Sequence, residues 1–316
     1  MITVAAEFCV QLLLLMGVGI YAGRRSAPEF RKGMIWFMVN ILVPCMVVSV
    51  MIDKYTPGDM SSGVSMMWTC VAVLSLGAVV GILVRLLVRG SSRARDVVLP
   101  CIIFMNANFI GYPVIQAVCG DAALVQANFF MIPFRVFFYT VIPLCYQANS
   151  ERKMNAADIV RQLGTALLSP SIIATLAGLM IVSARVHVPS PVLSVMRSLG
   201  DAAMPIGMVA CGMFISETRM KDAIKEKACW ITVIARNMLV PALVLLFMLA
   251  IRADETVLTL GVIFASLPSP GLAAPFAKQY GKDAGLAAQI IFLSTLAAAV
   301  TIPFWTVVIE KASVLI

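Results

Sequence analysis

The stretches FMNANFIGYP (residues 104–113) and SLPSPGLAAP (residues 266–275) interrupt two otherwise apolar runs of the sequence, and they decide the fold. Proline removes a backbone N–H, and its ring clashes with the carbonyl four residues earlier. Three prolines and a glycine within eight residues are therefore expected to unwind the second stretch. A Gly-x-Pro sequence behind two asparagines is expected to do the same in the first.

The composition indicates a membrane protein, because the chain has more apolar residues than a soluble domain has. Of 316 residues, 61% are hydrophobic and 13% are charged, whereas a soluble domain has about 45–50% apolar and about 25% charged residues. The net charge of +8 does not indicate nucleic-acid binding, because the basic residues fall in short clusters between apolar runs, as membrane-flanking residues do. The eight cysteines lack C-x-x-C spacing, so neither a disulfide nor a metal site is expected.

Ten runs are long enough to cross a bilayer as helices. A helix needs about 20 apolar residues to span roughly 30 Å of hydrocarbon, and runs of this length do not show the alternation of a barrel strand. The sequence therefore predicts an all-α integral membrane protein. Its predicted spans 1 to 10 are Thr3–Ala22, Met34–Ile52, Val64–Val88, Val97–Val118, Ala122–Tyr146, Gly164–Ala184, Pro191–Ile215, Ala228–Ile251, Thr256–Tyr280 and Ala284–Ile309.

The two halves of the sequence repeat each other at a nearly constant offset. Pro113 is followed eight residues later by Asp-Ala-Ala-Leu, and Pro275 is followed at the same distance by Asp-Ala-Gly-Leu, an offset of 162 residues. Pro44 and Pro205 also match, at an offset of 161 residues. Such matches predict an internal duplication.

Five helices per repeat place the start of the second copy on the opposite side of the membrane, so the repeats are expected to be inverted. Residues 1–150 form the first repeat, 151–163 a short cytoplasmic connection and 164–316 the second repeat. Inverted repeats are typical of alternating-access transporters, whose site lies between the repeats near the bilayer midplane.

Basic residues predict the orientation. The loops after odd-numbered spans carry most of the lysines and arginines outside the helices, whereas loops on the other side carry four: Lys54, Arg185, Arg252 and Lys311. Because cytoplasmic loops are enriched in basic residues, both termini are expected to face outward.

The interruptions of spans 4 and 9 form the expected substrate site. Unwound backbone at membrane depth persists only where it is buried or lines a cavity, and half-helix N-termini present N–H groups to an anion. Paired interruptions point to a transporter's binding site, although two ordinary proline kinks are the alternative. The candidate substrate-binding residues are Asn106, Asn108, Gly111, Pro113, Pro268, Ser269, Pro270, Gly271 and Pro275.

Polar side chains in the spans have alternative interpretations. Asn106 and Asn108 could donate to a carboxylate, cap the broken backbone or bond a neighbouring helix. Charged residues inside a span each cost about 2.5–3.5 kcal/mol at a helix centre, so they are functional candidates. Arg135 and Arg236 could attract an anion or tie helices together through backbone carbonyls.

One carboxylate is a candidate for ion coupling. Asp201 lies four residues after Arg197 in span 7, and the two could pair on one helix face. As the only acidic residue predicted to lie deep in a span, Asp201 is also the best candidate for coupling to H⁺ or Na⁺. Basic residues outnumber acidic ones inside the spans, which favours an anionic substrate.

Several motifs, in this order and spacing, resemble the auxin efflux carrier family. The resemblance extends over nearly the whole chain. The motifs are Asn40…Pro44, Asn106…Gly111-Tyr112-Pro113, Ser169-Pro170-Ser171, Ser266-Leu267-Pro268 and Ala277-Lys278-Gln279-Tyr280-Gly281.

The resemblance implies two inverted five-helix repeats in which spans 4 and 9 cross at the substrate site. It implies a scaffold of spans 1, 2, 6 and 7, which mediates a homodimer, and a transport domain of spans 3–5 and 8–10 that moves as an elevator. Plant members export an indole carboxylate, and bacterial relatives are associated with malate and malonate. Two features depart from the plant type: the short connection between spans 5 and 6, and the Pro268-Ser269-Pro270-Gly271 run. Compactness favours a bacterial protein of the inner membrane.

The sequence therefore predicts a secondary active transporter of small organic anions, with membrane lipid and the substrate as partners. No cofactor is expected beyond a possible coupling ion, H⁺ or Na⁺. A membrane sensor or scaffold that binds organic acids without moving them is the alternative. A membrane enzyme is disfavoured because the single histidine, His187, lies in a predicted loop and no H-E-x-x-H or Asp-rich cluster occurs.

Overall fold

The computed structural model describes residues 2–88, 92–147, 156–216 and 220–312, and within these ranges it is helical without strands. The helices are α1 Ile2–Arg25, α2 Pro28–Phe37, α3 Val43–Lys54, α4 Asp59–Leu87, α5 Ser92–Ile103, α6 Tyr112–Cys119, α7 Ala123–Gln147, α8 Ala156–Leu167, α9 Pro170–Ser183, α10 Ser190–Ile215, α11 Met220–Lys225, α12 Lys227–Ile234, α13 Val240–Ala250, α14 Glu255–Ser266, α15 Ala273–Gln279 and α16 Ala284–Ala312. Three π-helical segments accompany them: π1 Met38–Leu42, π2 Ala107–Gly111 and π3 Ala235–Leu239.

The length and apolarity of these helices confirm a multi-pass membrane protein. Seven segments of the described residues qualify as membrane spans, and the α8–α9 pair, bent by 50°, would be an eighth. This count includes neither α1 nor the interrupted α14–α15 pair, so the ten spans and their inverted arrangement remain predictions. The seven are Pro28–Lys54, Asp59–Leu87, Arg95–Cys119, Ala123–Tyr146, Ser190–Met213, Lys227–Ala250 and Ala284–Ala312.

The predicted connection at 151–163 is only partly described. Residues 151–155 lie outside the described residues, and 156–163 belong to α8.

Each π segment ends two residues before a proline, namely Pro44, Pro113 and Pro241. The residue immediately before each proline donates its N–H to the carbonyl five residues earlier. Because proline crowds the carbonyl four residues back, the wider π turn accommodates the ring without ending the helix. The expectation that Gly111 and Pro113 unwind span 4 is therefore wrong, since the helix continues through both.

The two predicted interruptions are present, at slightly different residues. The first covers 104–106, between α5 and π2, and the second covers 267–272, between α14 and α15. Leu267 is extended (φ −64°, ψ 149°), as is favoured for a residue before proline. Pro275 lies exposed in the first turn of α15, where proline is tolerated, rather than in the break.

Helices distant in sequence pack closely around these breaks. One group joins α1 to α10, α3 to α9 and α3 to α10, and another joins α4 to α5 and α7, α13 to α14, and α15 to α16. In the first group, a Cβ added at Gly212 would collide with the backbone carbonyl of Met16, and one at Gly19 would collide with that of Val209. Glycine at both positions lets the two backbones touch, as in other small-residue helix contacts.

Candidate functional site

The two breaks meet through their main chains. The backbone N–H of Asn106 donates to the carbonyl of Pro268 at 2.8 Å, and both residues are buried. Unwinding leaves an unpaired N–H in the first break and an unpaired carbonyl in the second, and this hydrogen bond pairs the two. Such pairing within the protein is required at membrane depth, where water is absent.

A narrow cleft with a free volume of only about 10 Å³, room for about one water molecule, lies where the breaks meet. The first break and π2 contribute one wall, the 267–272 segment contributes the opposite wall, and Phe138 of α7 completes it. Four of the nine candidate residues of the two breaks line this cleft, namely Asn106, Asn108, Pro270 and Gly271. Its lining residues are Met105, Asn106, Ala107, Asn108, Phe109, Phe138, Pro270, Gly271 and Leu272.

Asn106 caps the helix that starts at this cleft. Its Oδ1 accepts from the N–H of Phe109 at 3.3 Å, and its main-chain oxygen accepts from Ile110 and Gly111. Within the described chain, no acceptor is found for the N–H groups of Ala107 and Asn108. Both residues line the cleft, and the helix that follows runs on to Cys119, so its positive dipole end lies at the cleft.

Arg135 of α7 places a buried positive charge beside this helix start. The side chain is 4% exposed, and its Nη2 donates to Oδ1 of Asn108 at 3.1 Å. Its Nη1 has no hydrogen-bond partner, and no carboxylate pairs with the guanidinium in the part of the chain that is described. Arg135 does not itself line the cleft and is connected to it through Asn108. A buried charge without a counter-ion is costly, so an anion next to Asn108 would stabilise it.

Two further polar residues belong to the same cluster. The Tyr112 hydroxyl interacts with the Arg135 guanidinium and donates to Oδ1 of Asn128 at 2.9 Å. Asn128 is fully buried, and its Nδ2 has no partner. Sequence reasoning missed the role of both residues, although a polar residue such as Asn128 inside an apolar span was a usable signal.

Arg236 of π3 binds backbone carbonyls, which was the alternative to attracting an anion. Its three nitrogens donate to backbone carbonyls: Nε to Leu267 at 3.0 Å, Nη1 to Ile102 at 3.0 Å and Nη2 to Phe264 at 3.3 Å. Arg236 is fully buried and does not line the cleft. It ties both broken helices together through their carbonyls.

The remaining candidates of the second break hold it in place. Ser269 is fully buried, and its Oγ donates to the carbonyl of Cys101 at 2.9 Å while its N–H donates to Oγ of Ser294 at 3.1 Å. Gly271 lies opposite Asn106, since an added Cβ would lie 3.6 Å from the Asn106 Nδ2. Gly111 and Pro113 are buried in the helix after the cleft but do not line it.

Arg197 does not form the pair with Asp201 that their spacing allows. Arg197 forms a bidentate ion pair with Asp53 of α3, at 2.7 Å and 2.5 Å. The Asp201 side chain is exposed on α10, so it is not a buried carboxylate. The spacing of residues within one helix cannot predict an ion pair between two helices.

The buried carboxylate is instead Asp96, at the start of the Arg95–Cys119 span. It pairs with Arg85 at 2.8 Å and with Lys282 at 2.9 Å, and its side chain is fully buried. The prediction overlooked it because Asp96 falls at a span end next to basic residues, where solvent was expected.

Two comparisons with known proteins point to transport. A family model described as "Membrane transport protein" matches residues 4–306. An uncharacterized transporter from Methanothermobacter thermautotrophicus is 28% identical to this chain over 212 residues, which are 65% of this chain. The match likewise spans 65% of the length of that relative. Both descriptions name a transporter rather than an enzyme.

Proposed function

The chain belongs to the membrane transport protein family, the group of auxin efflux carriers that its motifs resemble, and on that premise we propose that it is a secondary active transporter of small organic anions. The substrates are mono- or dicarboxylates and auxin-like indole acids. Transport takes place across the cytoplasmic membrane of a bacterial cell, and both termini of the protein face outward.

One observation carries the choice of an anion: the buried Arg135 guanidinium, without a carboxylate partner among the described residues, beside a cleft between two broken helices. A carboxylate in the cleft would accept from Asn106 or Asn108 and from the N–H groups at the start of π2. It would also supply the counter-charge to Arg135. Hydrogen bonds to charged groups contribute about 1.5–3 kcal/mol each, enough to select an anion over a neutral analogue.

The small size of the cleft fits a closed or intermediate state of alternating access. Elevator movement would carry α4–α7 and α12–α16 past α1, α3, α9 and α10, and α1 would have to slide along α16, against which it packs closely. A homodimer through α1, α3, α9 and α10 would hold that scaffold fixed.

The test is carboxylate flux into proteoliposomes containing the purified full chain, with radiolabelled malate, malonate and indole-3-acetate as probes. We expect saturable uptake of at least one of them. Arg135→Gln and Asn108→Ala should each raise the half-saturating concentration about tenfold or more, since loss of about 1.4 kcal/mol of binding corresponds to one decade.

Matched controls separate the site from the fold. Asn40→Ala changes an asparagine of π1 that bonds the Trp36 carbonyl away from the cleft, and Arg161→Gln changes an exposed arginine of α8. Both should transport like the unchanged protein. If neither Arg135→Gln nor Asn108→Ala changes the flux, the substrate does not bind at this site. If the protein binds organic acids but shows no flux, the sensor alternative is favoured.

A further inference from the structure

A cavity larger than the cleft lies between α2, α10 and α15. Its free volume is about 320 Å³, within the range of about 300–1,000 Å³ that small-molecule sites have. Three of its lining residues are basic, none is acidic, and the rest are apolar. The basic residues are Arg31 and Lys32 of α2 and Lys278 of α15, and the apolar ones are Pro28, Met34, Ile35, Ala210 and Met213.

The protein does not neutralise the positive charge of this cavity. In the described part of the chain, no carboxylate lies within ion-pair distance of Lys32 or Lys278, and both lysines are exposed. Arg31 is half-buried, and its Nη1 donates to the Gly23 carbonyl at 3.0 Å, which holds the side chain against α1. Three cations from two distant parts of the sequence therefore face one space, which favours an anionic ligand.

The position of the cavity favours a lipid over a small soluble anion. Arg31 and Lys32 lie near the start of the Pro28–Lys54 membrane segment, at the depth expected for phospholipid headgroups. Trp36 follows Lys32 by one helical turn on the same face and is 61% exposed, so an apolar surface continues from the cavity along the membrane segment. A small dicarboxylate would gain nothing from this surface, whereas an acyl chain would cover it.

We propose that this cavity binds the phosphate of an anionic phospholipid, with an acyl chain lying along Trp36. The start of α2 and the end of α15 border loops that the distribution of basic residues places in the cytoplasm, and basic pockets between membrane helices on that side are suited to such headgroups. A lipid held there would join α15 to α2 and α10, across the boundary at which the proposed elevator moves. The binding site itself does not depend on which substrate is transported.

The experiment is native mass spectrometry of the purified full chain, with phosphatidylglycerol or with phosphatidylcholine of the same acyl chains as the probe. For the unchanged protein, we expect one retained phosphatidylglycerol per chain, bound about tenfold or more tightly than phosphatidylcholine, because only the first lipid carries a net negative charge. Lys32→Gln combined with Lys278→Gln should weaken phosphatidylglycerol binding about tenfold or more, since two of the three cations are removed. The matched control combines Lys54→Gln with Lys311→Gln, two exposed lysines in the last turns of α3 and α16, and should bind the lipid like the unchanged protein.

Two results would overturn the lipid site: equal binding of the two lipids by the unchanged protein, or equal losses of phosphatidylglycerol binding in the two double variants. The first comparison holds even if a variant does not fold. If glycerol 1-phosphate, which lacks acyl chains, displaces phosphatidylglycerol at an equal concentration, the cavity binds a soluble phosphate and not a lipid. Phosphatidylglycerol binding without organic-anion flux would refute the proposed function and leave this inference intact.

Discussion

At the scale of single residues, three ion pairs of the described part of the chain join different structural elements. Asp96 joins α4, α5 and the α15–α16 connection through Arg85 and Lys282. Arg197 joins α10 to Asp53 of α3. These contacts fix helices to each other at the ends of spans, where a charge can be both buried and paired.

Asp96→Asn is predicted to destabilise the protein. It would leave Lys282, whose side chain is 7% exposed, beside Arg85 without a carboxylate, and breaking a buried pair costs about 3–5 kcal/mol. Thermal unfolding in detergent, followed by tryptophan fluorescence, measures the loss. Asp201→Asn removes an exposed carboxylate and should leave the midpoint unchanged; equal midpoints for all three proteins would contradict the role given to Asp96.

Sequence reasoning could identify the buried arginines but not tell them apart. Both Arg135 and Arg236 were candidates for an anion or for backbone carbonyls, because both lie in apolar spans. Which role each takes depends on contacts with residues more than 25 positions away, such as Asn108 and Leu267. For the same reason the Arg197–Asp53 pair, separated by 144 residues, could not be foreseen.

At the scale of elements, proline has two different effects in this chain. Before Pro44, Pro113 and Pro241 the helix widens into a π turn and continues, whereas Pro268 and Pro270 lie in a true break. The number of prolines close together distinguishes the two cases. A helix can accommodate a single proline ring, whereas two prolines within three residues remove two nearby N–H donors. The break at 267–272 was thus predictable, and the shift of the first break to 104–106 was not.

The contact of α1 with α10 gives a prediction at this scale. Gly212→Val would force the two backbones apart, because an added Cβ meets the Met16 carbonyl, and overpacking costs about 1–3 kcal/mol or more. We expect a lower thermal midpoint and less folded protein in the membrane fraction.

Gly17→Val is the matched control for this contact. It changes a glycine of α1 with open space around its Cβ position and should be tolerated. Similar midpoints for the Gly212→Val and Gly17→Val proteins would show that the close approach of α1 and α10 does not occur.

At the scale of the whole molecule, the proposed elevator requires π2 to slide against α10. These elements touch, since a Cβ at Gly207 would lie 3.8 Å from the Cα of Phe109, compatible with a disulfide. Cysteines at these two positions, in a chain without its native cysteines, should form an oxidant-dependent cross-link. We expect the cross-link to stop anion flux and a reductant to restore it.

A second cysteine pair controls for the cross-link itself. Asp53 and Arg197 join α3 to α10 inside the proposed scaffold through an ion pair, so cysteines at these two positions can be bridged by a short bifunctional thiol reagent. Cross-linking this pair should leave flux unaltered. Full flux through the Phe109–Gly207 cross-link would contradict relative movement of these elements.

The central claim is that an organic anion binds where the two broken helices meet. Its most direct test is an electron cryo-microscopy map of the full chain in nanodiscs, with and without a saturating carboxylate that proteoliposomes show to be transported. We expect ligand-dependent density between Asn108 and Gly271, with the ligand's carboxylate within hydrogen-bonding distance of Arg135. Ligand density elsewhere, or unbroken helices through residues 104–106 and 267–272, would contradict it.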